Sequence, residues 1–94
     1  MWGKKVKGIQ AKQLVNKGAL LIDIRNPVAF RDGTITGATN IPISNISQLL
    51  SKDKTTKVIF FGENKEDPNL MLMLKYAAQV FTDVYYMDSK DDWN

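Results

Sequence analysis

Ala19-Leu20-Leu21-Ile22-Asp23-Ile24-Arg25-Asn26-Pro27, followed by Phe30-Arg31-Asp32-Gly33-Thr34-Ile35-Thr36-Gly37-Ala38-Thr39-Asn40-Ile41-Pro42, is the stretch on which the fold turns. It opens with a nearly continuous apolar run, the pattern of a strand covered on both faces of a parallel sheet. Asn26-Pro27 then offers a helix cap and a first-turn proline that needs no amide donor, which predicts a brief helix through Phe30, ended near Gly33. Ala38 to Ile41 leaves room only for a short strand before Pro42. The order is strand, helix, strand.

The same alternation extends outward. Ile9 to Lys17 reads as a first helix, with Ala11, Leu14 and Val15 on one side and Gly18 as its stop. Ser44 is expected to cap a short helix carrying Ile46, Leu49 and Leu50. Lys57-Val58-Ile59-Phe60-Phe61 is the clearest buried strand, and Val84-Tyr85-Tyr86 the last. Between them runs the longest helix, Pro68 to Phe81. Advancing about 100° per residue groups Leu70, Met73, Leu74, Ala77, Val80 and Phe81 on one face, with Ala78 at its edge. Lys75 and Gln79 fall opposite, and Leu72 beside them, so Leu72 is the apolar residue a one-sided core explains least. Met71 is left without an assigned face. Strands separated by helices predict an α/β, three-layer architecture: a small, mostly parallel central sheet flanked by helices. No linker or repeat divides the chain, so one domain is expected over 1–94, with a basic N-terminal segment of about 1–8.

Composition narrows the chemistry. The 94 residues include no cysteine and no histidine. That excludes disulfides, thiolate catalysis and zinc–thiolate or iron–sulfur sites, and removes the commonest proton shuttle. The net charge of +3 hides polarity along the chain. Lys4, Lys5, Lys7, Lys12 and Lys17 precede the first acid, Asp23, whereas Asp83, Asp88, Asp91 and Asp92 crowd the other end. Lys4, Lys5 and Lys7 are the natural contact for nucleic acid or an anionic membrane. Lacking arginine forks and interleaved aromatics, the segment reads instead as a solvated terminus. Met1-Trp2-Gly3-Lys4-Lys5 has no long apolar stretch behind it, so neither a secretory signal nor a membrane span is predicted, and a cytoplasmic location is expected.

Leu21-Ile22-Asp23-Ile24-Arg25 and the Phe30–Pro42 segment together resemble the rhodanese signature, in which a strand ends in Asp-x-Arg and a Gly-His-Ile-x-Gly-Ala-x-x-Ile-Pro segment follows. The resemblance covers almost the whole chain and implies the rhodanese-like fold. It also implies an active loop after Val58-Ile59-Phe60-Phe61, where relatives place a cysteine followed by amides that surround a persulfide or phosphate. Here the corresponding stretch is Gly62-Glu63-Asn64-Lys65-Glu66-Asp67-Pro68. It has no nucleophile at Gly62 and no arginine, and Lys65 is one cation against Glu63, Glu66 and Asp67. Two further departures are Ala29, where relatives carry a glutamate that would partner the Asp23/Arg25 region, and Thr34 in place of histidine, read as a packing substitution. Relatives often have paired glycines near the terminal tryptophan; here Asp88-Ser89-Lys90-Asp91-Asp92 stands there, with Trp2 and Trp93 expected to anchor the ends.

Asp67-Pro68 has a reading of its own: Asp67 caps the long helix and occupies donors that an external anion would otherwise use. Asp23 and Arg25 are expected to brace loops through charged hydrogen bonds. No catalytic residue, cofactor or metal is expected, since Asp88, Asp91 and Asp92 do not follow a calcium-loop spacing. The resulting expectation is a non-catalytic rhodanese-like domain, related to sulfurtransferases but without their activity, that binds a protein partner or supports an assembly. The candidate surface is Glu63, Glu66, Met71 and Leu72. The alternative is a small-metabolite site or non-thiol enzyme using Gly62 to Pro68, with Lys65 and Asn64 as its polar groups; a small anion is disfavoured by the clustered acids.

Overall fold

A computed structural model describes residues 2–94; Met1, the first position of the predicted basic segment, lies outside the described residues. Strands β1 (Lys4–Lys5), β2 (Leu20–Asp23), β3 (Thr39–Asn40), β4 (Val58–Gly62) and β5 (Val84–Ser89) form one sheet in the order β1-β5-β4-β2-β3. Every strand pair is parallel. Helices α1 (Gly8–Asn16), α2 (Pro27–Asp32) and α3 (Pro68–Val80) make the main crossovers, and 3-10 helices cover Ile43–Ser51 and Lys90–Trp93.

Alternation along the buried strands divides the core between the two sheet faces, because successive side chains point opposite ways. Ile22, Ile24, Val58 and Phe60 face Leu70, Met73, Leu74, Ala77 and Phe81 of α3 and its end. Leu21, Ile59, Phe61 and Met87 face Val6, Ala11 and Ile35, with Leu14, Val15 and Trp93 packed around them. All five residues of β4 are buried; the expected strand over 57–61 is shifted by one, leaving Lys57 exposed before it and taking Gly62 from the loop into its last position. The angular grouping on α3 holds for its buried face, while Ala78 at the edge is exposed. α1 stops where Gly18 adopts φ +103°, a conformation costly for any other residue. Its first residue, Gly8, abuts the backbone carbonyls of Asp92 and Trp93 and leaves no room for a Cβ.

Several local expectations are corrected. Ser44 does not cap: the helix begins at Ile43 behind Pro42, and the Ser44 hydroxyl turns to Asn45 Oδ1 at 3.2 Å. The short helix is of the 3-10 type, interrupted at Asn45. With three residues per turn, Ile43, Ile46 and Leu49 align towards the core and Leu50 is turned out, 64% exposed. The last strand runs to Ser89, and the acidic stretch beyond it forms a 3-10 turn. Its Asp92 carboxylate accepts from the Asp88 N–H at 3.0 Å, which closes the turn where relatives often have paired glycines. Trp93 does pack on the core, whereas Trp2 lies outside it, 42% exposed, with the Lys75 ammonium 5.4 Å from its ring centroid.

The basic segment keeps Lys4, Lys5 and Lys7 exposed, as a solvated terminus does, while its backbone joins the sheet. Lys4–Lys5 adds an edge strand beside Tyr85 and Tyr86, a position where lysines discourage further strand addition. Lys5 Nζ reaches Asp88 Oδ2 at 2.6 Å, and this hydrogen bond, with the charge of Asp88, raises the Lys5 pKa above its ordinary value. A raised lysine pKa stabilises the fold below the unfolded value of about 10.4, and the contribution is lost as pH rises through the higher folded value. The difference in urea midpoint between wild type and Lys5→Met is therefore expected to be constant from neutral to mildly alkaline pH and to shrink above about pH 10.4. A difference unchanged into strong alkali would show that the ion pair contributes nothing.

Candidate functional site

The site lies beyond the carboxyl ends of β2 and β4, where the chain turns outward in opposite directions along the sheet. Asp23, the last residue of β2, is fully buried. A carboxylate there requires partners, and the local sequence supplies them. Asp23 Oδ1 accepts from the Arg25 backbone N–H at 2.9 Å and from Arg25 Nε at 3.1 Å. Oδ2 accepts from Arg25 Nη2 at 2.9 Å and from the Thr34 hydroxyl at 2.8 Å. Arg25 Nη2 also donates to the Gly33 carbonyl at 2.6 Å, which receives Lys90 Nζ at 3.1 Å as well. The hydrogen bonds that Arg25 donates to Asp23, then the charge of Asp23, hold the Arg25 pKa above the ordinary arginine value, against the opposing effect of burial. Asp23 and Arg25 thus brace this end of the sheet. Thr34 is not mere packing, as the sequence suggested: its hydroxyl is the carboxylate's fourth donor. Asn40 escaped the sequence reading altogether; its Nδ2 donates to the carbonyls of Asp23 and Arg25 at 2.9 and 2.8 Å. Asn40 ends the short strand β3, and nothing local in the sequence signals that amide bridge.

Gly62 ends β4, and the register with β5 slips there, Phe61 facing Met87 while Gly62 faces Ser89. Such bulges re-aim the backbone beside functional sites. The loop Glu63–Asp67 then turns back on itself: Asn64 Oδ1 accepts from the Glu66 N–H at 2.8 Å, and the Asn64 carbonyl from the Asp67 N–H at 3.1 Å. Asp67 caps α3 through Oδ1, which accepts from the Asn69 N–H at 2.9 Å. Its other oxygen, Oδ2, accepts from the Glu63 N–H at 3.0 Å. The carboxylate lies directly over Gly62: a Cβ there would stand 2.6 Å from Asp67 Oδ2. One internal anion therefore takes the amides at both ends of the loop. Asp67→Ala is expected to lower stability by about 0.5–2 kcal/mol, the usual cost of losing an N-cap. Urea melts at neutral pH check this, and Asp67→Asn, which keeps an acceptor, is expected to lose less.

A cleft of about 530 Å³ adjoins the loop, lined among others by Arg25, Pro27, Pro42, Glu63, Glu66 and Pro68. Among the described residues Arg25 is its only lining cation, with a side chain 7% exposed, and Glu63 approaches Nη1 at 3.9 Å. Lys65 is exposed and does not line the cleft, so the loop does not bring it together with Asn64, which does. Glu63 and Glu66 are exposed, as are Met71 and Leu72 one turn into α3, Leu72 by 56%. Among the described residues no cluster of acids has the arrangement of a metal site, and no helix is long and apolar enough to cross a membrane.

Residues 9–90 match the family model for the rhodanese-like domain. A thiosulfate sulfurtransferase GlpE of Pseudomonas putida is 32% identical over 89 residues, covering 90% of this chain and 78% of that protein. The protein of the same name from Pseudomonas entomophila is 30% identical over 88 residues, with the same coverage. A rhodanese-related protein from Thermoplasma volcanium has a crystal structure similar in fold, with a TM-score of 0.77 at 15% identity, over 96% of this chain and 89% of that one.

Proposed function

This chain belongs to the rhodanese-like domain family and holds no thiol, and from that premise we propose that it acts as a non-catalytic binding module, docking a protein partner at the face formed by the altered loop and the first turns of α3. The absence of cysteine removes thiol-dependent sulfurtransferase chemistry. The observation that carries the binding reading is the placement of the Asp67 carboxylate, which fills the space over Gly62 and takes the Glu63 and Asn69 amides. A loop filled from within offers little to a small anion. What remains for recognition is its outer surface: Glu63 and Glu66 beside the exposed Met71 and Leu72. Apolar side chains beside a polar rim are a composition that contact surfaces use. The small-metabolite alternative is supported less, because Lys65, its expected cation, points no charge into the cleft lining.

Purified protein is expected to form no thiocyanate from thiosulfate and cyanide; turnover would overturn the non-catalytic reading. For the binding role, quantitative co-purification from the source lysate compares wild type with Met71→Asp/Leu72→Asp. Selective loss of a reproducible partner with the variant supports the surface, and an identical partner profile rejects it.

A further inference from the structure

We propose that the cleft between the ends of β2 and β4 receives a lysine or arginine side chain from a basic, extended protein segment. This names the partner class for the binding role above and rests on that reading. The position of the cleft is the first argument. The chain leaves β2 towards β3 and leaves β4 towards β5, on opposite sides in the strand order, so a crevice opens at the switch point where parallel sheets hold their ligands. Its volume of about 530 Å³ is in the range of ligand sites, enough for one long side chain and part of its backbone.

The walls and the sign of the charge select the occupant. Pro27, Pro42, Ile43 and Pro68 give the cleft rigid apolar sides, suited to the methylene stem of a long cationic residue. The one lining cation, Arg25, is already matched by the fully buried Asp23. The other charged lining residues are Glu63, Glu66 and Asp67. Asp67 is engaged by two amides. Glu63 meets Arg25 only at 3.9 Å and remains 58% exposed, and the Glu66 carboxylate has no ion pair among the described residues. With Arg25 neutralised, the field in the cleft repels oxyanions and draws in a cation. A segment rather than a free amine fits the surroundings, because Leu72 lies three and four residues beyond Asn69 and Pro68 on the same side of α3. It is exposed there for a neighbouring apolar residue.

Three capped heptapeptides, Ala-Leu-Xaa-Pro-Xaa-Leu-Ala with Xaa as Lys, Gln or Glu, are titrated into the isotope-labelled protein at low and high salt. The Lys peptide is expected to shift the amides of Glu63, Asn64, Glu66 and Asn69, to bind tightest, and to weaken several-fold at high salt. Glu63→Gln/Glu66→Gln should weaken it by about tenfold; both positions are exposed, and an unchanged melting midpoint confirms that the variant folds. Equal binding of the Lys and Gln peptides, or preference for the Glu peptide with shifts around Lys4 and Lys17, overturns the proposal. The native partner separates this inference from the reading beneath it. A complex broken by Leu72→Asp but indifferent to Glu63→Gln/Glu66→Gln keeps the binding role and rejects the cationic occupant. A complex indifferent to both rejects the surface itself.

Discussion

Asp23→Ala is expected to destabilise the protein by about 3–5 kcal/mol, the range for removing one partner of a buried ion pair. The carboxylate is fully buried and takes the Arg25 N–H, Nε and Nη2 together with the Thr34 hydroxyl. Without it, the Arg25 guanidinium, 7% exposed, keeps the Gly33 carbonyl at 2.6 Å and the distant Glu63 carboxylate. The larger part of the loss is thus an uncompensated buried charge rather than the missing bonds. Asp23→Asn retains acceptor and shape and should lose less. The paired replacement Asp23→Leu/Arg25→Met should lose clearly less than the sum of its single changes, since neither charge is then left alone. Urea unfolding of the set measures this. A loss under about 1 kcal/mol for Asp23→Ala would mean that water reaches the guanidinium, and the brace at the end of β2 would have to be assigned elsewhere.

Gly62→Cys is the second large effect, and it tests what Asp67 does to a thiol placed at this position. Restoring the thiol at this position is expected to destabilise the protein by about 1–3 kcal/mol, as overpacking does, without conferring sulfurtransferase turnover. The new Cβ would lie 2.6 Å from Asp67 Oδ2, 3.3 Å from its Cγ and 3.4 Å from Ile24 Cδ1. Relief requires the carboxylate to swing away, which breaks its bonds to the Glu63 and Asn69 amides. Any carboxylate that stays close raises the thiol pKa and suppresses the thiolate. Gly62→Cys/Asp67→Ser keeps a good N-cap with a smaller, uncharged side chain. It should recover part of the stability and react faster with iodoacetamide at neutral pH. Equal stability and equal alkylation rates for the two variants would show that Asp67 does not occupy the thiol's place.

Much of this was legible in the chain. The nearly continuous apolar runs at 19–24 and 58–61 identify buried parallel strands because both faces of such strands must avoid water. Asn26-Pro27 and Asp67-Pro68 announce helix starts because a side-chain acceptor followed by a residue without an N–H answers the unpaired donors of a first turn. Both caps are present, Asn26 accepting from Ala29 and Asp67 from Asn69. The segment Lys4–Lys5 carried no such signal: its pairing is made by backbone groups beside β5, which any residue supplies. The 3-10 winding at Ile43–Ser51 was hidden for a related reason, since Ile46, Leu49 and Leu50 suit an α-helical face as well as they suit neighbours three apart.

The layer architecture, the absence of thiol chemistry and the cap at Asp67 can be read along the chain, because each depends on residue type and near-neighbour spacing. Where those groups meet depends on the packed fold. That Thr34 and Asn40 close the brace around Asp23, and that Lys65 stays out of the cleft, follows from the crossovers and the turn of the loop. That the second Asp67 oxygen stands over Gly62 follows from the path between β4 and α3. Local preferences act through the next few residues of chain. A site at the ends of parallel strands is assembled from segments brought together by sheet register, and register is set by the packing of the whole core.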